Sequence, residues 1–133
     1  KANKREFQIG VYAPTYVYRD IDEQVYNLVR IASAVVAIGA PKIVLEKFSL
    51  NAKIVDLKKK LESAHKLERI LNEIPPEVVE RFSIFKSAGE LKSYISYASG
   101  LAISHIVFGF PQGYSLKTIS DLAQALQAID KRT

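Results

Sequence analysis

Along the first strand-like stretch, Phe7, Ile9, Val11 and Ala13 fall on one face and Gln8, Gly10 and Tyr12 on the other. A period of two predicts a β-strand over Phe7 to Ala13. Pro14 is expected to end it, because proline cannot donate to a central ladder. Asp20 or Asp22 can then cap a helix, and Gly39-Ala40-Pro41 can stop it. From Leu28 onward this helix reads LVRIASAVVAIGA, apolar almost all round, so cover on several sides is expected. Ala32, Ser33, Ala34 and Ala37 are small enough for close packing.

The middle of the chain switches to helical spacing and is more polar. Lys42 to Phe48 reads as a short piece. Asn51 is expected to cap a helix with Ile54, Val55, Leu57 and Leu61 as its apolar stripe, and Leu67, Ile70, Leu71 and Ile74 make another. Pro75-Pro76 forces a break and begins a helix from Pro76 to about Phe82. Ser87-Ala88-Gly89-Glu90 has the spacing of a capping box, in which the hydroxyl and the carboxylate each satisfy a free amide. Leu91, Tyr94, Ile95 and Ala98 supply the following stripe, with Gly100 as its stop. Ile103 to Phe110 predicts a second strand, and a last helix from about Leu116 turns Ile119, Leu122, Ala123, Leu126 and Ile129 inward. The order predicts a mostly helical, parallel α/β fold with two strands far apart in sequence. Two parallel strands do not form a self-sufficient sheet, since parallel sheets are buried on both faces. The missing neighbours are therefore expected from another copy or from the rest of a larger barrel.

Composition narrows this picture. A chain of 133 residues fits a single unit, 1–133, without an internal linker, and 48% hydrophobic with 25% charged residues is ordinary for a folded protein. With no cysteine there is no disulfide, thiolate nucleophile or cysteine zinc site, which suits a cytoplasmic location. The two histidines, His65 and His105, lie apart without a carboxylate cluster, so no metal site is expected. The net charge of +5 comes largely from the Lys-Ala-Asn-Lys-Arg start and from Lys58-Lys59-Lys60. Neither run interleaves aromatics, so they read as solvated charge; nucleic-acid binding through them is the weakest of the functional readings. No stretch reaches the roughly 20 apolar residues of a membrane span, and no signal peptide is read at the basic amino end. The sequence contains no Met, so it is expected to be a fragment, a processed product or a trimmed form of a longer protein.

From Phe82 through Ile119 the chain resembles a known family. Phe82-Ser83-Ile84, the capped helix from Ser87, Gly100 before the strand and Gly109-Phe110-Pro111-Gln112-Gly113 after it are similar in order to the luciferase-like oxidoreductases. They most resemble the branch of coenzyme F-420-dependent methylenetetrahydromethanopterin reductases. The earlier layout agrees, with Val44-Leu45-Glu46-Lys47-Phe48 in place of a Leu-Glu-Arg-type segment. The chain departs from that pattern at Lys86 to Glu90, at Phe110, where the reductases have Ser, and at Tyr114, where they have Pro. The resemblance implies the C-terminal portion of a (β/α)8 TIM barrel: seventh strand, helical insertion, eighth strand and last helix. It implies an oxidoreductase that passes a hydride between a reduced deazaflavin or flavin and a small acceptor, by likeness a pterin-linked one-carbon carrier. The cofactor is coenzyme F-420 or FMN in the intact enzyme, and the groups holding its reactive ring lie mostly on strands outside this chain. Here the implied cofactor contacts are Gly109, Phe110, Pro111 and Gly113 in one loop and Thr15 and Tyr16 in the other, at the strand ends where such barrels bind phosphate.

Purely structural roles compete with these. Gly109 and Gly113 can serve a strand-to-helix turn, and Thr15 and Tyr16 can simply pack. No catalytic residue is assigned: His105 opens a strand at the stability end of a barrel, His65 sits among charges, no Ser/His/Asp trio assembles, and Glu77 and Glu80 suit a helix start. The chain alone is expected to be inactive, with association with the missing barrel half or with its own copies. The alternative reading is a non-catalytic, barrel-derived module for interaction or self-association.

Overall fold

The computed structural model describes residues 8–130. Phe7 and the basic start, Lys1 to Arg5, lie outside the described residues. In chain order the elements are β1 (Ile9–Tyr18), α1 (Glu23–Ile38), α2 (Lys42–Lys47), α3 (Asn51–Ala64), a 3-10 segment (Leu67–Glu73), α4 (Pro76–Phe82), β2 (Ile84–Ser87), a 3-10 turn (Ala88–Glu90) leading into α5 (Leu91–Gly100), β3 (Ile103–Pro111) and α6 (Leu116–Asp130). The strands form one parallel sheet in the order β2-β1-β3. The chain is thus α/β, with a small open sheet of three strands rather than the two expected.

β1 runs on through Pro14 to Tyr18, which corrects the expected stop. The reason is the ladder. The Val17 amide faces the β3 side, where it donates to Gln112 Oε1, so by strand alternation the missing N–H of Pro14 faces the other edge. There β2 begins to pair only at Thr15, opposite Ile84, so no bond is lost at Pro14. On the β3 side the register runs Pro14 to Gly109 and then Thr15 to Pro111, leaving Phe110 as an extra, bulged residue. The Phe110–Pro111 peptide is cis.

Several helix signals act as read. Asp22, rather than Asp20, caps α1, its carboxylate accepting from the Val25 amide at 3.1 Å. α4 begins at Pro76. The capping box is complete: Ser87 Oγ accepts from the Glu90 amide and Glu90 Oε1 accepts from the Ser87 amide at 2.9 Å. Others are corrected. Leu50, not Asn51, holds the cap position of α3, because its buried side chain anchors the α2–α3 corner, where Ser49 takes a left-handed φ of 59°. α5 does end at Gly100 as expected, and the left-handed residue that follows it is Ala102. On α6, Ile119 and Ala123 face outward, while Thr118 and Ala125 are buried and Leu122, Leu126 and Ile129 pack beside them.

Three apolar clusters hold the fold. One lies off the sheet within the helical excursion, joining Ala34 and Ala37 of α1 to Leu45, Leu50, Ile54, Leu57, Ile74 and Val78. A second covers one sheet face with Tyr16, Val25, Val29 and Val79, and a third covers the other with Val17, Leu91, Ala125 and Phe108. Both sheet clusters gather at the carboxyl half of β1. Its amino half is poorly covered: Ile9 is 50% exposed, Tyr12 70%, and Val107 on β3 52%. The all-round apolar α1 is likewise open along Val35 and Val36.

Candidate functional site

At the carboxyl ends of β1 and β3 the side chains are engaged with one another. Thr15 has no exposed surface, and its hydroxyl donates to the Ala13 carbonyl at 2.9 Å. Tyr16 is 2% exposed, and its hydroxyl accepts from the Asp22 amide at 2.8 Å, fixing the loop that enters α1. Ser115 Oγ accepts from the Thr118 amide, and Thr118 Oγ1 accepts from the Ser115 amide, so α6 starts with a reciprocal cap. The crevice between these two helix starts holds about 70 Å³. Beside it, a hydrogen bond to Asp121 raises the Lys117 ammonium above its usual pKa.

Gln112 is the group that sequence reasoning missed. It is 2% exposed, its Oε1 accepts from the Val17 amide, and its Nε2 donates to the carbonyls of Val17, at 3.3 Å, and Thr118, at 2.7 Å. One side-chain amide thereby continues the β3 ladder past Pro111 and ties it to α6. Nothing in its flanking residues distinguishes such an amide from an exposed loop glutamine.

Gly109 is required by close approach. A Cβ there would lie 2.7 Å from the Ala13 carbonyl oxygen and 2.9 Å from the Tyr12 ring. Gly113 has no such need, with open space around it and no left-handed φ.

A larger concavity lies elsewhere, a cleft of about 530 Å³ beside the uncovered half of β1. Tyr12 and Phe110 form one wall, Val35 and Val36 of α1 another, and Arg81 and Tyr94 close the remaining sides. The Arg81 guanidinium stacks 4.8 Å from the Phe48 ring centroid. Burial, and then the neighbouring Tyr97, raises the Tyr94 phenol above its ordinary value. Ser83 also lines the cleft, but its hydroxyl is committed to the Val79 carbonyl at 2.6 Å. Apolar walls with one cation favour binding over acid–base chemistry.

Of the six residues expected at a cofactor, only Phe110 lines this cleft. Thr15, Tyr16, Pro111 and Gly109 are buried and Gly113 sits on the surface turn before α6, so the six are not gathered round one cavity. By themselves they do not form a pocket that fits a deazaflavin or flavin with its phosphate. No cluster of three or more His, Cys, Asp or Glu suited to a metal occurs among the described residues, and among them no helix is long and apolar enough to cross a membrane. No protein-family model matches the chain, and no curated protein matches it either.

Proposed function

We propose that this chain is the C-terminal part of a luciferase-like oxidoreductase using coenzyme F-420 or FMN, completed by polypeptide outside these residues. One observation supports the incompleteness above all: β1 and β3 pair from Ile9 and Ile103 onward, yet large apolar side chains along them, Ile9, Tyr12 and Val107, stay half or more exposed. Parallel strands of this composition belong between layers. The enzymatic part of the reading rests on the resemblance from Phe82 through Ile119. It takes β1 and β3 as the seventh and eighth barrel strands, side by side and parallel. β2 then belongs to the helical insertion and occupies the β1 edge only from Thr15 to Tyr18. Because three successive barrel strands would instead run in sequence order, this placement of β2 is part of the proposal. The cofactor and most of the groups that hold it would then belong to the part outside these residues.

The test is a titration of coenzyme F-420 and of FMN, followed by fluorescence, against this chain and against the longer polypeptide its gene encodes. Saturable binding by the longer product, with little by the chain alone, is the expected result. Binding of neither cofactor by the longer product refutes the enzyme reading.

A self-association module is the second reading, favoured by the bare Ile9, Tyr12, Val107 and Val35 surface. Light scattering on a size-exclusion column separates the two: the module reading requires a concentration-dependent oligomer of the 133-residue chain.

A further inference from the structure

The cleft beside β1 has the shape and chemistry of a missing strand. Alternation along β1, fixed by the Val17 amide and the Ala13 carbonyl facing β3, turns the backbone groups of Gly10 and Tyr12 and the Pro14 carbonyl toward the opposite edge. β2 covers that edge only from Thr15 onward. Over Val11 to Pro14 it opens into the cleft, whose walls include Ser83 and Ile84, where β2 begins. A segment placed there would lie in line with β2, with alternate side chains against Val35 and Val36 on one side and Tyr94 on the other. Its end nearest β2 meets Arg81, which pairs with no carboxylate among the described residues.

We propose that this recessed edge takes up an extended segment of a partner polypeptide, parallel to β1, apolar at alternate positions and bearing a carboxylate at the end that reaches Arg81. Backbone bonding to the free edge supplies affinity, and the alternating walls and the guanidinium supply selectivity. Within the 133 residues, the two stretches outside the described range, Lys1 to Phe7 and Lys131 to Thr133, carry no alternating apolar pattern. The inference rests on the reading that the sheet is finished from outside, and adds where this happens and by what chemistry.

The probe is a fluorescein-labelled peptide of alternating valine and threonine with a free C-terminal glutamate, titrated against the whole chain by fluorescence polarisation. Saturable binding is expected. N-methylation of one alternate set of its amides should weaken binding by about tenfold or more, while methylation of the other set should leave it within about twofold, because successive strand amides point to opposite edges. Arg81→Glu should reverse the preference between the glutamate-terminated peptide and an amidated, lysine-terminated one. Equal effects of the two methylation sets, or an unchanged preference in Arg81→Glu, overturn the edge-pairing proposal and leave the cofactor titration of the longer product untouched. Absence of saturable binding, together with a strictly monomeric chain, overturns both the proposal and completion from outside by a separate chain.

Discussion

Replacing Gln112 by leucine tests the carboxyl end of the sheet. The substitution keeps the approximate volume and removes all three hydrogen bonds of the side-chain amide. The Thr118 carbonyl faces the smallest loss, since a helical carbonyl has a second lone pair and its own i+4 partner. Val17 is the difficulty: it is wholly buried, and both its N–H and its C=O lose the partner that stands in for a β3 residue. Each orphaned buried group costs about 1–3 kcal/mol, against roughly 1 kcal/mol regained from the added apolar burial. The net expectation is a loss of about 2–4 kcal/mol, a large part of the roughly 5–15 kcal/mol available to an ordinary domain. Urea unfolding followed by far-UV circular dichroism measures it, with an unchanged m-value showing that the compact states are comparable. Gln112→Glu supplies a second readout. An ionised carboxylate sets oxygen against the Val17 and Thr118 carbonyls, and its damage should shrink as acid restores a proton to donate. A loss below about 0.5 kcal/mol for Gln112→Leu, within the range of ordinary surface changes, would refute the strut.

Gly109→Ala should cost about 1–3 kcal/mol in the same assay, because the Tyr12 ring can swing aside but the Ala13 carbonyl at 2.7 Å cannot. Gly113→Ala, with open space around it, should stay within about 0.5 kcal/mol of the parent. The Ser87 amide, and then the Ser87 hydroxyl, hold the exposed Glu90 carboxyl below its ordinary pKa. Its contribution to stability is therefore complete above the unfolded value of about 4.3 and is lost as pH falls through the lower folded value; Glu90→Gln should show a shallower acid slope in urea midpoints. Val107→Lys, at a half-exposed position, should leave the unfolding midpoint nearly unchanged while weakening any self-association seen by light scattering; unaltered oligomer formation would place the contact elsewhere.

What could be read along the chain was local. Asp22, Pro76 and the Ser87/Glu90 pair announce helix starts because each acts on amides within one turn of itself. β2 escaped because Ile84–Ser87 is too short to display alternation and ends in the residue that opens a capping box. The passage of β1 through Pro14 depends on which edge β2 occupies and where its pairing begins, and no neighbouring residue encodes that. The site shows the same division. The sequence suggests for Gly109 a cofactor contact or a turn, whereas the groups that require it are Tyr12 and Ala13, from the opposite end of the sequence. A strand ending at Pro14 puts Thr15 and Tyr16 in a loop; in the longer β1 they are interior. Gln112 stood inside the loop singled out from its glycines and proline, but its role depends on Val17, which only the folded ladder brings within reach.

The sheet joins the two ends of the chain, with Ile9 opposite Ile103, while the helical cluster from Ala34 to Val78 is assembled from nearby residues. On a ribosome these parts would mature at different times. The helical body can condense once its own stretch has emerged, whereas β1, synthesised ahead of it, must wait until β3 arrives beside it. Throughout that interval its apolar residues are available to any nascent neighbour, so the strand that waits for the late-arriving β3 is also an aggregation hazard.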